Sequence, residues 1–592
     1  MKAMGIFRAG ALSLTLVATL LLGFLPRQAG AEGTWIALQN SPPEPIGTML
    51  LLSDGTVMAQ GNGATTLWYR LTPGINGGYT NGTWSSRTSM TYGRLYGASD
   101  VMPDGRVLIA GAEYGNGSTT AEVYDPVKDV FSGDFTPNYP WTIIPVPAGL
   151  ITTNNTQDGN GVNSAGFIDS GSIVLSDGTV LISPVAPATP GGTVIFNPSA
   201  NTFTSGPALV NSRNTDEAGL LKLPDDSVLV IDPDQTASER YIPSQNQWVN
   251  DGTLPVDLFD PFGGELGPGF MLPNGNAFFI GSAPYTCLYT PSGSSDPGTW
   301  QSGPPIPQLQ GAPDAPAAMM VNGKILCALS PTPYVAGGVT NVFTAPTVFY
   351  EYDYSVPPVG VFNAIHAPDY GLVTTQLTEV TYNDRMLALP DGTILFTDGK
   401  TQLYAYQPDG LPLPAGKPAI SSVTWNADGS LHVSGTLFNG ISQGASFGDD
   451  AQMDSNYPLV RFIDGQGNVY YGRTYNWSST GVQTGSRIVS TEVALPAQVL
   501  NFPGDYALEV VANGNASLPV GFSGPVWVDF TVQFDTFQDG SFGHPFYTLA
   551  AGLNAVATGG TIAIKSSNSH ETPALTKAVT LISVNGPSII GQ

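Results

Sequence analysis

The sequence predicts an all-β fold: a seven-bladed β-propeller, then an immunoglobulin-like β-sandwich, then a short β-helix-like tail. Three observations predict it. Short Val/Ile/Leu/Tyr runs between Gly/Asn/Asp/Pro turns dominate, and no long stretch beyond the N-terminus keeps a helical period. One unit, an apolar run, a two-residue polar turn and a second apolar run, occurs seven times. That repeat stops near Ala415, and shorter alternating strands follow. At 592 residues the chain is too long for a single core.

Residues 1–31 read as a signal peptide. Lys2 and Arg8 precede the apolar run AGALSLTLVATLLLGFLP, and Ala29-Gly30-Ala31 supplies the small residues of a cleavage site, expected after Ala31. No second stretch is long enough to span a bilayer, so a secreted protein, extracellular or at the cell surface, is expected.

The repeat fills 32–415. Its turns begin at Asp54, Asp104, Asp177, Asp225, Asn274, Asn322 and Asp391, separated by 50, 73, 48, 49, 48 and 69 residues. Asp-Gly and Asn-Gly reach positive φ cheaply and so close tight hairpins. One hairpin per roughly 50 residues is the signature of a propeller blade. The two long intervals mark insertions around Asp134–Val162 and Pro331–Asp369. Third strands follow most hairpins, and fourth strands are expected around Trp84, Phe131, Phe203, Trp248 and Trp300. The last unit lacks a fourth strand. GTWIALQ, with Trp35, has that pattern and is expected to close the ring, which removes an open sheet edge. Residues 416–533 read as the sandwich. Residues 534–592, with GGTIAIKSS and AVTLISVNG, read as one or two coils of a parallel β-helix.

Net charge is −26 with only 20 Lys and Arg, and there is no basic stripe, which argues against nucleic acid as a partner. Cys287 and Cys327 lie in strand-like runs and are expected as buried thiols rather than a bridge.

The seven units, the signal segment and the C-terminal LFNGISQGASFGDDAQMDSNYPLVRF and GRTYNWSSTGV together resemble the galactose oxidase and glyoxal oxidase family of copper radical oxidases. The resemblance implies a kelch-type propeller with an early-set (E-set) sandwich. It also implies a copper held by two tyrosines and two histidines, with one tyrosine crosslinked to a cysteine. Tyr96, eight residues before Asp104, matches the crosslinked tyrosine, and Tyr114 takes the place of the aromatic residue that stacks on it. Tyr382 matches the axial tyrosine. The departures are Ile46 at the cysteine position, Asn383 in place of one histidine, and Gly481, in SSTGVQTGSR, in place of the other. Copper in this geometry needs imidazole nitrogens. None of His366, His432, His544 and His570 falls in these motifs, so no copper cofactor is expected.

The residues eight before each turn are Ile46, Tyr96, Asp169, Glu217, Leu266, Asp314 and Asn383, with Glu265 beside Leu266 able to take its slot through a bulge. Carboxylates recurring at one structural position are unexpected in an inner strand, which is normally apolar. One reading is simple avoidance of burial at a wet rim. The other is a ligand-binding cup formed by Tyr96, Tyr114, Asp169, Glu217, Glu265, Asp314, Tyr382 and Asn383. Such a cup suits sugar hydroxyls and rings, and also Ca²⁺. The expected function is non-catalytic binding of an extracellular glycan or protein partner at the propeller mouth. The alternatives are a copper oxidase of alcohols or aldehydes with an altered site, and a carboxylate-based glycan hydrolase or lyase.

Overall fold

The computed structural model describes residues 32–591 except 130–138, 234–235, 263, 369–373, 449–452 and 534. The described chain is all-β and arranged like a propeller. Six of its sheets have four strands; in five the chain order runs outward from an innermost strand, and in the sixth the outermost strand is the N-terminal strand of the chain. The first, for example, runs Ile46–Leu51, Val57–Gly61, Trp68–Thr72, Thr83–Ser86. Innermost strands of successive sheets touch: Arg385–Ala388 meets Ile46–Leu51, which meets Ala98–Val101, which meets Gly171–Val174.

Each predicted hairpin is present, and each is closed the same way. The side-chain oxygen of the Asp or Asn that opens the turn accepts a hydrogen bond from the backbone N–H two residues on, at 2.9–3.1 Å in all seven. The next residue has positive φ, and it is glycine in six turns and Asp226, at 67°, in the seventh. The seventh hairpin lies in a seven-stranded sheet. That sheet's main path is Val361–Ile365, Thr347–Asp353, Ile325–Pro331 and Ala317–Met319, extended at its inner edge by Ala445–Ser446 from the C-terminal part.

The N-terminal strand pairs antiparallel with the last strand of the repeat, Thr34 opposite Gln407 through Ala37 opposite Tyr404. Trp35 packs among Phe349, Phe396 and Tyr406, with ring centroids 4.7–5.4 Å away, and so joins two sheets. One expected strand is corrected. Phe131 lies outside the described residues, and the outer strand of its sheet is Trp141–Ile144, so Trp141 is the aromatic residue there, packed on Trp68 and Tyr124. The second insertion carries its own hairpin, Tyr334–Ala336 with Val339–Val342.

After the repeat, eight strands between Ala419 and Ser523 form one continuous sheet folded around a core that includes Val433, Val460, Phe462, Val493 and Leu508. The tail adds a parallel three-stranded sheet, Val526–Val528, Thr561–Lys565 and Thr580–Val584, and a short helix, Leu549–Ala555, that the sequence pattern did not predict. Cys287 and Cys327 are buried free thiols, and burial pushes Cys287 up to about 12.

The C-terminal sheet docks on the hairpin-turn end of the propeller-like ring. Tyr471 lies against Gly55, Thr474 N–H donates to Ser53 O, and Gln483 Nε2 donates to Leu272 O. From that end, residues 442–448 enter the ring. Ala445 and Ser446 pair with Ala318 and Ala317, and Phe447 reaches Tyr96 at the opposite end.

Candidate functional site

Away from the hairpin turns, the inner strands surround a cavity of about 650 Å³. All eight residues singled out in the sequence line it: Tyr96, Tyr114, Asp169, Glu217, Glu265, Asp314, Tyr382 and Asn383. The local backbone accounts for this convergence. Tyr96, Asp169, Glu217 and Asp314, each eight residues before its turn, have φ of 54°, 40°, 60° and 42°. Left-handed backbone at a non-glycine residue costs about 1–2 kcal/mol. Four such residues at one structural position are a repeated device, and each of them lines the cavity. Ile46 and Leu266, at the same sequence offset, instead start strands whose pairing slips by a bulge. Both are buried and neither lines the cavity, whereas Glu265 next to Leu266 does. Asn383 ends a one-turn 3₁₀ helix, Thr381–Asn383.

The carboxylates come close together. Oxygens of Asp169, Asp216 and Glu217 lie within 4.8 Å of one another, and so do those of Glu217, Glu265 and Asp314. Burial pushes Asp314 up to about 6, opposed by the hydrogen bond with Glu265 and the charge of Arg385. Burial, then the Asp169 and Asp314 charges, push Glu113 up to about 9, so it is neutral at pH 7. Burial first, then the charge and hydrogen bond of Glu113 and the Asp169 charge, raise Tyr114.

The remaining arc is aromatic. Phe343 meets Tyr382 edge-on at 5.5 Å, and Tyr114 meets Tyr96 at 6.1 Å. Beneath Tyr96 lies Phe447, its ring nearly parallel at 6.4 Å. Arg385 covers both rings, at 5.4 Å from Tyr96 and 3.7 Å from Phe447. Its Nη1 donates to Tyr382 O and Asp384 O, both at 2.7 Å, and its Nε has no hydrogen-bond partner.

Sequence reasoning missed Glu113, Phe343, Arg385 and Phe447. Glu113 neighbours Tyr114 and Arg385 lies two residues past Asn383, so a wider window around each marked position finds them. Phe343 sits in an insertion and Phe447 in a Gly/Asp-rich loop, where the repeat gives no register. One placement is corrected. Gly481 is not at the cavity: an added Cβ there would meet Asp226 and Arg487, at the hairpin-turn end. SSTGVQTGSR follows a β-strand that ends at Tyr475 and braces the underside, while Phe447, from the segment of the C-terminal part that enters the ring, arrives beside Tyr96. The reason is physical: Thr480 Oγ1 bonds Val174 O and Leu175 O, which pins that loop to the turn end.

His366 contacts Glu32 and His432 contacts Glu492, while His544 and His570 lie in the tail; none of the four lines the cavity. Among the described residues no helix is long and apolar enough to cross a membrane.

No protein-family model matches the sequence, and no curated protein matches it. Solved structures similar to this chain include a fungal alcohol oxidase of the AA5 family in complex with copper, at 16% identity and TM-score 0.44, covering 83% of this chain and 99% of that one. A streptogramin B lyase is similar at 12% identity and TM-score 0.39, over 64% of this chain and 98% of that one. The extracellular domain of the one component system BT4673 from B. thetaiotaomicron is similar at 12% identity and TM-score 0.39, over 86% of this chain and 55% of that one.

Proposed function

We propose that this chain is an exported, non-catalytic binding protein. In this reading its seven sheets are the seven blades of a kelch-type propeller, and its second sheet is an E-set sandwich. The cavity at the end of the ring binds an extracellular glycan. One observation carries the reading: tyrosines, carboxylates, an asparagine and an arginine from successive sheets converge on a single cavity of about 650 Å³. Rings of that polarity bind sugars by stacking on the apolar face and hydrogen bonding at the rim. The backbone strain repeated at Tyr96, Asp169, Glu217 and Asp314 supports a functional demand on those positions.

A copper site does not fit the residues present. Tyr96 and Tyr382 are both at the cavity, but Phe447 and the Arg385 guanidinium occupy the surroundings of Tyr96. Two phenols beside a fixed cation make a poor copper donor set. A glycan array tests the binding reading, using wild type, Tyr96→Ala and Asp169→Ala. Binding that survives both substitutions unchanged moves the site elsewhere.

A second reading, acid–base cleavage of a glycan, is favoured by one observation. Burial, then the Asp169 and Asp314 charges, hold Glu113 protonated at pH 7 beside other carboxyl groups, as a general acid requires. Release of reducing ends from a polysaccharide panel, lost in both Glu113→Gln and Glu217→Gln, supports it; no release from any polysaccharide refutes it.

A further inference from the structure

We infer that the ligand of this cavity is a long saccharide chain, and that the part of it outside the cavity lies across an apolar rim on one side of the mouth. The inference rests on the glycan-binding reading above and adds a second binding surface to it. The rim is made by Phe262, Tyr285, Leu309, Tyr334 and Val335, which are 44–77% exposed. Tyr285 lies in the loop between the strands Ala277–Gly281 and Thr286–Thr290, at the end opposite the hairpin turn of that sheet. Tyr334 and Val335 lie between Ile325–Pro331 and Thr347–Asp353, at the same end.

Hydrogen bonds fasten the four segments that carry these residues into one surface, with the Tyr285 loop at its centre. Ala283 N–H donates to Leu258 O at 3.0 Å, Ile306 N–H to Pro284 O at 3.3 Å, and Thr332 Oγ1 to Ser282 O at 3.1 Å. The Asp260 carboxylate accepts from Ser282 Oγ at 3.0 Å and from Glu265 N–H at 3.1 Å, which ties the Phe262 loop in a second time. Gln308 and Leu309 both have left-handed backbone, with φ of 58° and 56°, and Leu309 is 77% exposed. A strained turn that sets an apolar side chain in water fits a demand from outside the fold.

Composition and position narrow what the rim meets. The chain carries a net charge of −26, yet 281–286, 303–313 and 331–346 contain no charged residue. Such a surface offers nothing to an ionic partner, and its prolines order it before anything binds. Exposed apolar residues gathered on one surface mark an interaction site. This one is continuous with the cavity: Glu265, Asp314 and Phe343, which line it, follow Phe262, Leu309 and Val335 by three, five and eight residues. Below Tyr96 the ring is filled by Phe447 and its segment, so a chain too long for about 650 Å³ leaves through the mouth that these loops border. The faces of Phe262, Tyr285 and Tyr334 suit the apolar faces of pyranose rings, and the two phenol hydroxyls suit their edges.

Calorimetric titration of the full chain tests this, with the disaccharide and the hexasaccharide of β-1,4-glucan, β-1,3-glucan, α-1,4-glucan, β-1,4-xylan and β-1,4-mannan as probes. In at least one series the hexasaccharide is expected to bind at least about tenfold more tightly than the disaccharide. Tyr285→Ala and Tyr334→Ala, both at exposed positions and checked for folding by circular dichroism, are each expected to reduce that ratio to within about threefold. Equal binding of the two lengths, or a ratio that both substitutions leave intact, overturns the rim; loss of that binding in Tyr96→Ala then leaves the cavity standing as the glycan site. No binding in any series overturns both. Sedimentation velocity identifies the other occupant: a dimer that Leu309→Asp converts to a monomer assigns the rim to a second copy of the chain and overturns the inference.

Discussion

Replacing Glu217 by Gln tests whether the carboxylates converge as described. Glu217 belongs to both acidic triads and so faces four other carboxylates with oxygens no more than 4.8 Å away. At that distance two unit charges repel by about 0.9 kcal/mol in water and roughly 3.5 kcal/mol at an effective dielectric of about 20. Glu217 is partly exposed, so solvent screens much of that repulsion. The net gain on neutralising it therefore falls near the low end, about 1–3 kcal/mol at pH 8. Gln keeps the shape and an acceptor oxygen, so packing changes little. The assay is the thermal unfolding midpoint at pH 8 and at pH 4. Glu217→Gln is expected to raise the midpoint at pH 8 and to have a smaller effect at pH 4, where Asp314 and Glu113, raised to about 6 and about 9, hold protons. A lower midpoint at pH 8, or the same rise at both pH values, would refute the reasoning.

Three further outcomes follow from the same geometry. Phe447→Ala removes a 1% exposed ring that supports Tyr96 and Arg385, and is expected to cost about 3–5 kcal/mol, read as a lowered unfolding midpoint. Asp100 is fully buried, and burial raises it to about 7. The folded state must therefore keep a proton that the unfolded chain releases near pH 4, and stability falls between about pH 4 and about pH 7. Asp100→Asn is expected to flatten that decline, raising the midpoint at pH 8 relative to pH 4; an unchanged pH profile contradicts it. Both cysteines are buried and free, so a thiol reagent should label none in the native protein and two after denaturation.

The fold was legible because hairpin chemistry is local. An Asp or Asn that bonds its own turn, followed by a residue of positive φ, is written in two letters and recurs on a fixed spacing. The candidate site was legible for a related reason. An offset of eight residues from each turn is a fixed distance along an inner strand, so Tyr96, Asp169, Glu217 and Asp314 were marked without any contact being known. The offset failed at Ile46 and Leu266, where a bulge slips the register. It could not find Phe447, which comes from 351 residues beyond Tyr96 and reaches it only because the C-terminal part sends a segment through the ring. Nor could it place Gly481, whose position depends on how two sheets dock. Repetition encodes what lies within one unit, while contacts between separate units carry no comparable mark.

The most direct measurement of the central claim is a crystal structure of the chain with a bound oligosaccharide. The account predicts a sugar ring in the cavity between Tyr382 and Asp314, within hydrogen-bond distance of the carboxylate arc. A sugar bound only on the C-terminal sheet, or a metal coordinated by Tyr96 and Tyr382 in the cavity, would contradict it.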